Sequence, residues 1–487
     1  MAGGWMDSSS YRRHVEGFID SGAGRHTLGL VYGRRRIGKS TLLEAVTRER
    51  GGFYWEATRT ESPIQLSRLG EALGEYLGVG RLALDSWDEA FRQLLRLGEA
   101  RRVPVVVDEF GHVLAADPSA DSIVASAIGP AARRASSGQA RLVLCGSAIA
   151  MMSSLTAGEA PLRGRAGMEL VMQPADFREA AGWLGANADL ELAARVYAVI
   201  GGVIGYATDI VDHDLPTGMD DFDRWVADRL LSPAATLHHE ATTLLAEDPT
   251  LTAVNPVVLN SILGAIANGS IAAGKIANQL RRSVSNIEPS IRRLIAAGFV
   301  VRHADPVRSQ RPSYALADPF LQFHYAILEP HSSLLRDREP SATWKRRLAA
   351  TFDAHVRGPV FEEQVRSWAR RYAAPETLGA EPDHLGPSAV VVDGTERQLD
   401  LVVATPGDPD EPPAAREIHA IGEAKSGEVV GHGHLRILEQ VRAAYGGRAA
   451  RAKLLLAAPS FTTELRSEAD QRPDIELIDL ERLYHGS

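Results

Sequence analysis

The chain of 487 residues contains one cysteine, Cys145, and lacks long apolar segments. A single cysteine excludes disulfides and cysteine-ligated zinc within the chain, and it fits a reducing cytosol. No uninterrupted apolar run reaches the about 18 residues that a membrane span needs. The first residues have no apolar stretch typical of a secretory signal. We therefore expect a cytoplasmic protein with no membrane partner.

The chain also lacks a large excess of basic charge, because its formal net charge is -9. This value excludes a uniformly basic coat for nucleic acid, but it is compatible with a local basic patch. The hydrophobic content of 45% is ordinary for a globular protein with a large buried core. The length corresponds to roughly three domains of about 150 residues each.

Residues 26–180 alternate short apolar strands with helices. The strand-like segments are HTLGLVYG, RRVPVVVDEF and ARLVLCGSAIA, and KSTLLEAVTRER has the spacing of a helix. Continuous apolar strands separated by helices are typical of a parallel sheet that is covered on both faces. We therefore predict an α/β core in this region.

The first strand runs into VYGRRRIGKSTLLEA, which contains the G-x-x-x-x-G-K-[ST] motif of a phosphate-binding loop. Glycines let backbone N–H groups turn toward phosphates, and the following helix presents its positive N-terminus to them. Lys39 is predicted to reach the β- and γ-phosphates, and the Ser40 hydroxyl to bind Mg²⁺. ATP or GTP is predicted to contact Gly33, Arg34, Arg35, Arg36, Ile37, Gly38, Lys39, Ser40 and Thr41.

The segment VVVDEF places two carboxylates at the end of a buried strand. Asp108 is predicted to hold Mg²⁺ through water, and Glu109 to polarise the water that attacks the phosphoryl group. The alternative is an acidic pair that merely ends a strand. The phosphate-binding loop upstream favours the catalytic interpretation.

Five segments, GRRRIGKST, VVVDEF, LVLCGSAIAMM, PLRGRAG and DFREA, follow one another in this order. In these segments the chain resembles the archaeal-type ATPases, a branch of the AAA+/STAND group that is also found in bacteria. The resemblance covers most of the chain, from about residue 10 to about residue 485, and it implies ATP rather than GTP.

The resemblance also implies roles for three residues in the segments LVLCGSAIAMM and PLRGRAG. Ser147 matches the family's polar sensor of the γ-phosphate, although it could equally cap a helix. Arg163 and Arg165 match the position of a suspected arginine finger, which would stabilise charge on the transferred phosphoryl group. The alternative for both arginines is a solvated loop charge.

The chain departs from the family pattern in two places. The family usually opens with F-x-x-R-x-x-E-L near the adenine, and here Arg13 and Glu16 keep only the spacing. The family also tends to have Gly-Gly-x-Pro at the start of the helical lid. Gly201 and Gly202 are present, but Ile204 replaces the proline, which predicts a less rigid hinge.

Changes of pattern along the chain predict an α/β multidomain protein with four domains. They are a P-loop ATPase core with a parallel sheet at 1–180, a helical lid at 181–248, a winged helix-turn-helix at 249–330, and a PD-(D/E)XK nuclease-like α/β domain at 331–487.

The segment predicted to form the winged helix is locally basic. Its basic residues are Lys275, Arg281, Arg282, Arg292, Arg293, Arg302, Arg308 and Arg311, and only Glu288 and Asp305 oppose them. If SVSNIEPSIRRLIAAG is the recognition helix, the candidate contacts to base edges or phosphates are Ser283, Ser285, Asn286 and Arg292, with Arg308 and Arg311 on the wing. The alternative is a winged helix that serves only for packing.

A third group of polar residues lies in the C-terminal region. Asp400 lies within the strand-like segment RQLDLVV, and Glu423 and Lys425 lie two residues apart on the next strand, so that they share a face. Two converging carboxylates would bind Mg²⁺, or alternatively Mn²⁺, and a lysine would orient or deprotonate a water. This is the arrangement of the PD-(D/E)XK nucleases, in which Glu362 matches a supplementary metal ligand. The alternatives are an ion pair on an edge strand and a nuclease fold retained for binding alone.

These patterns together predict an ATP-hydrolysing protein whose nucleotide state gates a DNA-binding, metal-dependent nuclease. The alternative is an ATP-switched DNA-binding or signalling regulator in which the nuclease fold is inactive. A third hypothesis is an ATPase that remodels a protein partner. His432 and His434 have no third ligand in sequence and are interpreted as the start of a helix. Self-association stays open, because an arginine finger acts either in the same subunit or in a neighbouring one.

Overall fold

The structure, a computed structural model, describes residues 10–22, 25–99, 101–130, 138–184, 189–252, 254–308, 311–406 and 416–487. The chain forms two compact units. The first consists of Met1–Pro174 with Glu247–Ala253, and the second of Ala175–Ala246 with Val254–Ser487. The predicted division into four domains is finer than this and stays a prediction.

The first unit alternates strands and helices. Its strands are β1 (Thr27–Tyr32), β2 (Phe53–Glu56), β3 (Val103–Asp108), β4 (Ala140–Gly146) and β5 (Ala166–Val171). Its helices are α1 (Ser10–Asp20), α2 (Lys39–Glu49), α3 (Ser62–Leu77), α4 (Trp87–Arg96), α5 (Phe110–Ala116), α6 (Ala120–Ala127) and α7 (Ile149–Ser154).

The strands of the first unit form one parallel sheet in the order β2-β3-β4-β1-β5. The three predicted strands correspond to β1, β3 and β4, which lie side by side in the middle. Every residue of β3 and β4 is buried, as expected for strands covered on both faces. The prediction of a parallel-sheet α/β core is therefore confirmed. The two outer strands, β2 and β5, were not predicted.

Large aromatic side chains pack behind the sheet and position the end of β3. Trp87 and Phe91 of α4 and Phe110 of α5 are at most 2% exposed. Their ring centroids are 6.1 Å apart for Trp87 and Phe91, and 6.3 Å for Phe91 and Phe110. Burial of each such ring stabilises the fold by about 1.5–3 kcal/mol. Because Phe110 follows the acidic pair directly, this packing fixes where Asp108 and Glu109 lie.

The second unit begins with a largely helical region. Its helices are α8 (Phe177–Trp183), α9 (Leu190–Ile200), α10 (Met219–Val226), α11 (Leu237–Glu247, whose last residue belongs to the first unit), α12 (Pro256–Ala267), α13 (Ala273–Gln279) and α14 (Val284–Ala296). Two antiparallel strands follow, β6 (Val300–His303) and β7 (Ser313–Leu316). The winged helix-turn-helix predicted for residues 249–330 stays a prediction.

Short helices with π-helical turns lead into the C-terminal region. The helices are α15 (Pro319–Phe323), α16 (Ser332–Asp337), α17 (Pro340–Thr343) and α18 (Ala349–Phe352). The π-helical turns are Tyr206–Ile210, Ala227–Leu231, His324–Leu328, Trp344–Leu348 and Asp353–Arg357. Each of the last four continues directly from an α-helix.

The C-terminal region contains a mixed sheet with helices. Its strands are β8 (Leu385–Val392), β9 (Thr395–Ala404), β10 (Ile418–Ala424), β11 (Val429–Val430), β12 (Lys453–Ala457), β13 (Ser460–Phe461) and β14 (Ile475–Ile478). Its helices are α19 (Gly358–Arg371), α20 (Pro375–Leu378), α21 (His432–Tyr445), α22 (Thr463–Ala469) and α23 (Leu480–His485), with a 3₁₀ turn at Gly446–Ala449.

The main sheet of this region has the order β14-β12-β10-β9-β8. β10 therefore lies in the centre, antiparallel to β9 and parallel to β12. β8 and β9 form a hairpin around an Asp-Gly turn, with φ of 50° at Asp393 and 77° at Gly394. Within the described residues, no helix combines the length and the apolar composition needed to cross a membrane.

The DFREA segment belongs to the second unit. Asp176 caps α8 by accepting hydrogen bonds from the N–H groups of Arg178 and Glu179, both at 3.0 Å. The same carboxylate accepts a hydrogen bond from Arg371, at 3.1 Å, and another from the Tyr372 hydroxyl. The Arg178 guanidinium lies 3.9 Å from the centroid of the Tyr372 ring. These contacts join α8 to the end of α19.

Candidate functional site

The predicted phosphate-binding loop connects β1 to α2. Its backbone is left-handed at Arg36 and Gly38, with φ of 68° and 89°, and φ is 153° at Gly33. A Cβ atom at Gly33 would lie 2.3 Å from the carbonyl oxygen of Met172 and 2.7 Å from Cδ1 of Ile37. The Ile37 side chain is buried and anchors the loop. Only glycine fits at position 33.

Lys39 lies inside this loop, whereas the next two residues are exposed. Its side chain is buried, and Nζ donates a hydrogen bond to the carbonyl oxygen of Arg34 at 2.7 Å. Ser40 and Thr41 are exposed at the first turn of α2. Arg35 pairs with Glu247. A phosphate oxygen at this place would be an alternative acceptor for the lysine.

The Asp108 carboxylate is buried and lies among several hydrogen-bond donors. Oδ2 accepts a hydrogen bond from the Tyr54 hydroxyl at 2.5 Å, and Oδ1 accepts one from the N–H of Glu109 at 2.8 Å. Burial alone would raise the pKa of Asp108, but hydrogen bonds from Cys145, Ser40 and Tyr54 outweigh it and lower this pKa. The carboxylate is therefore ionised at neutral pH and lies beside the Ser40 hydroxyl.

Glu109 follows in a left-handed conformation, with φ of 48°. The Ser147 hydroxyl donates a hydrogen bond to its Oε2 at 3.0 Å. The structure thus brings together the predicted catalytic carboxylate and the predicted sensor serine. Burial, followed by the charges of Asp108 and Glu109, raises the pKa of Glu56, so that a third carboxylate belongs to this electrostatic environment.

The two predicted arginine-finger residues interact with backbone carbonyl groups of their own unit. Arg163 donates to the carbonyl oxygen of Gly158 at 2.6 Å, and Arg165 donates to that of Ala125. Either guanidinium would have to exchange this acceptor before it contacted a phosphoryl group.

In the second unit, the arginines on or near α14 differ in whether they form an ion pair. Arg281, Arg282 and Arg293 are exposed. Arg292 pairs with Glu288 on the same helix at 2.9 Å. Among the described residues, Arg281, Arg282 and Arg293 are therefore exposed and form no ion pair with a neighbouring carboxylate, in contrast to Arg292.

The wing arginine Arg308 is held by acidic side chains. Its guanidinium lies 3.1 Å from Asp305 and 3.4 Å from Glu396 on β9. Asp305 also accepts a hydrogen bond from the Ser388 hydroxyl of β8 at 2.8 Å. The β6–β7 connection is therefore attached to the C-terminal sheet. A contact between Arg308 and DNA would require exchange of these partners.

The predicted nuclease residues lie on three neighbouring elements. Asp400 is on β9, Glu423 is on the central strand β10, Lys425 follows β10 directly, and Glu362 is on α19. Lys425 Nζ is 2.6 Å from Glu423 Oε1, so an ion pair is present, but not on an edge strand. Asp400 Oδ2 accepts a hydrogen bond from the N–H of Ala424 at 2.8 Å.

Two further charged residues complete this group, and the sequence did not single them out. Arg366 is 6% exposed, and its Nε lies 2.9 Å from Glu363. Its NH1 donates to the carbonyl oxygen of Asp400 at 2.9 Å and lies 3.8 Å from Glu362. We call the following six residues the acidic cluster: Glu362, Glu363, Arg366, Asp400, Glu423 and Lys425.

The electrostatics of the acidic cluster reflect an excess of carboxylates over cations. Burial, then the charges of Glu362 and Glu423, raise the pKa of Asp400 to about 8. Burial also raises the pKa of Glu362. A cation bound among these carboxylates would lower their pKa values again. Within the described residues, however, no three acidic, histidine or cysteine side chains form a group that could hold a metal ion.

The two histidines of GHGHL lie at the start of α21, where the sequence predicted the start of a helix. His432 Nε2 is 2.7 Å from Glu468, and His434 Nε2 is 3.6 Å from Glu428. They form separate polar contacts at the helix start.

Comparison with known proteins identified distant relatives. No family model matches the chain. An uncharacterized protein of Methanocaldococcus jannaschii is 24% identical over 319 residues, which cover 63% of this chain and 65% of that protein. The chain thus spans less than two thirds of the length of this curated relative.

Two solved structures are also similar to the chain. One is a Walker-type ATPase of Pyrococcus abyssi, with a TM-score of 0.49 and 20% identity over 66% of this chain and 96% of that chain. The other is the ORC2 protein of Aeropyrum pernix, in complexes with ADPNP and ADP, with a TM-score of 0.42 and 16% identity over 67% of this chain and 91% of that chain. At these similarities, the functional assignment rests on the site residues themselves.

Proposed function

We propose that the first unit binds and hydrolyses ATP, as a protein of the AAA+/STAND type. The observation that carries this proposal is the arrangement around the loop of residues 33–41. Lys39 is buried inside the loop, Ser40 lies beside an ionised Asp108, and Ser147 is joined to Glu109 at 3.0 Å. This arrangement supports the roles predicted for Lys39, Ser40, Asp108 and Glu109 in phosphoryl transfer.

The donor set of this site fits Mg²⁺, which prefers oxygen ligands and retains several waters. Ser40 and Asp108 would hold the ion, which would supply positive charge beside the phosphate groups. Lys39 would exchange the Arg34 carbonyl for phosphate oxygens. Glu109 would accept a hydrogen bond from the attacking water, and Ser147 would fix the orientation of that carboxylate.

The test of nucleotide binding is calorimetric titration of the full chain with ATP, with and without Mg²⁺. Wild type should bind, and Lys39→Ala should lose most of the affinity, because the lysine supplies the buried cation for the phosphates. Arg48→Ala is the matched control, since Arg48 is an exposed cation in the last turn of the same helix. An unchanged affinity of Lys39→Ala would remove the assignment of the loop.

We further propose that the nucleotide state gates a metal-dependent, DNA-cleaving site at the acidic cluster, with DNA bound near α14. The excess of carboxylates supports a cation site, and Glu362, Asp400 and Glu423 would hold Mg²⁺ or Mn²⁺. Such an ion supplies Lewis acidity at the phosphodiester. These carboxylates do not form a metal-binding group in this structure, so the proposal requires that they rearrange when a metal ion binds. Lys425 would position or deprotonate the attacking water.

The second candidate is an ATP-switched DNA-binding or signalling regulator with an inactive nuclease fold. It is favoured by the ion pair of Lys425 with Glu423, which occupies both side chains in the described residues. Titration of the wild type with Mn²⁺ separates the candidates. A metal-binding event that is lost in Asp400→Asn supports the nuclease. DNA binding with a steep salt dependence but without that event supports the regulator.

A further inference from the structure

Tyr54 lies on β2, a strand that the sequence did not predict. Side chains on a strand alternate between faces. Phe53 and Trp55 are buried, whereas Tyr54 and Glu56 lie on the other face and are more accessible. β2 pairs in parallel with β3, with Glu56 opposite Asp108. The topology of the sheet thus places the Tyr54 hydroxyl next to the end of β3.

The Tyr54 hydroxyl lies beside both of the residues that would hold Mg²⁺. It donates to Asp108 Oδ2 at 2.5 Å. Burial raises the pKa of Tyr54, and hydrogen bonding with the nearby Ser40 side chain opposes this rise. Since the N–H of Glu109 already binds Asp108 Oδ1, at 2.8 Å, the tyrosine fixes the second oxygen and hence the rotation of the carboxylate.

We propose that Tyr54 is a positioning residue of the nucleotide site, which sets the affinity for the Mg²⁺ that accompanies ATP rather than the affinity for ATP itself. This inference rests on the proposed ATP-binding function. Hydrogen-bond partners behind metal ligands orient the ligand atoms, and their removal typically costs about 10- to 100-fold in metal affinity or activity. Tyr54 lies behind Asp108 and Ser40 in this way. Lys39, which would bind the phosphates, is held by the carbonyl group of Arg34 instead.

Tyr54→Phe is the direct test, because it removes the hydroxyl and retains the ring. Tyr76→Phe is the matched control. The Tyr76 hydroxyl donates to the carbonyl oxygen of Gly51 at 2.8 Å. The Tyr76 ring packs against Phe53 of β2, with centroids 5.4 Å apart. Both variants lose one tyrosine hydroxyl near β2, but only one of these hydroxyls contacts Asp108.

The experiment measures ATP affinity in EDTA and across a series of Mg²⁺ concentrations, and ATP turnover across the same series. Tyr54→Phe should keep the wild-type affinity in EDTA, which also shows that it is folded. The Mg²⁺ concentration for half-maximal turnover should rise by about 10-fold or more. Tyr76→Phe should match wild type throughout.

Two results would overturn the inference. One is a Mg²⁺ dependence of Tyr54→Phe equal to that of wild type. The other is an equal loss of ATP affinity with and without Mg²⁺, which would show that the hydroxyl acts on the fold of the loop. A wild-type protein that binds no nucleotide under either condition would overturn the proposed function, and this inference with it.

Discussion

His324 should make the stability of the protein depend on pH in a mildly acidic range. The side chain is 5% exposed and lies in the π-helical turn His324–Leu328, with ring centroids 6.1 Å from Phe320 and 4.9 Å from Tyr325. Burial, followed by the charges of His238 and His239, lowers the pKa of His324 to about 4. The folded protein therefore keeps this imidazole neutral.

The sign of the effect follows from proton binding. Above about pH 6.5, His324 is neutral in both the folded and the unfolded chain. As the pH falls below that value, the unfolded chain binds a proton first, and the free energy of unfolding decreases until the folded pKa is reached. For a folded pKa of about 4 and an unfolded pKa of about 6.5, the loss between about pH 7.5 and about pH 5 is about 2 kcal/mol.

The assay is urea unfolding of wild type, His324→Gln and His355→Gln at these two pH values. The glutamine in His324→Gln cannot titrate. Between these two pH values, the free energy of unfolding of this variant should therefore fall by about 2 kcal/mol less than that of wild type. His355 is exposed, and its variant should follow wild type. For each protein, the quantity compared is the change in its free energy of unfolding between the two pH values. A loss of stability that the glutamine causes by poorer packing is the same at both pH values and therefore cancels. The same pH dependence in wild type and His324→Gln would refute the reasoning.

Three further predictions concern the two candidate sites. Gly33→Ala should weaken ATP binding by about tenfold or more, because φ of 153° and a Cβ 2.3 Å from a carbonyl oxygen strain an alanine by about 1–3 kcal/mol. Calorimetry with ATP measures this loss. Charge reversal at Arg281, Arg282 and Arg293 should lower DNA affinity and flatten its salt dependence, by roughly one unit of slope for each phosphate that is no longer neutralised. Lys425→Ala should slow DNA cleavage with Mn²⁺ by about 100-fold or more, as loss of a group that acts on the attacking water would.

Each of these variants has a matched control. Gly17→Ala places a methyl group in open space on α1 and should leave ATP binding unchanged. Charge reversal at Lys345, Arg346 and Arg347, which are exposed in another part of the second unit, should affect DNA affinity less. Lys453→Ala removes a lysine that pairs with Glu476, at 3.1 Å, on the same sheet, and it should not slow cleavage. Equal effects of a variant and its control would contradict the corresponding role.

The sequence was informative where one physical signal dominated. β1, β3 and β4 are continuous apolar runs because helices cover both faces of the sheet, and all were predicted. β2 has four residues, and its burial alternates. β5 is an outer strand whose side chains are mostly accessible. Neither has the composition of a buried strand, so only the pairing in the folded sheet identifies them.

The candidate site was predictable to the extent that its residues adjoin in sequence. The loop and the Asp108–Glu109 pair follow from motifs, and a family resemblance implied the role of Ser147 as a sensor of the γ-phosphate. Tyr54 and Arg366 were missed, because each meets its partner only through tertiary structure. The role of the wing arginine Arg308 was also underdetermined, since its partner Glu396 lies 88 residues away in sequence.

The central claim is that the first unit hydrolyses ATP at the Asp108–Glu109 pair. The most direct measurement compares ATP turnover and ATP binding for wild type and Glu109→Gln. We expect the variant to bind ATP with an affinity similar to that of wild type but to lose turnover by about 100-fold or more, since the amide cannot accept the proton of the attacking water. Turnover at the wild-type rate in Glu109→Gln, or no turnover in wild type, would contradict hydrolysis at this pair.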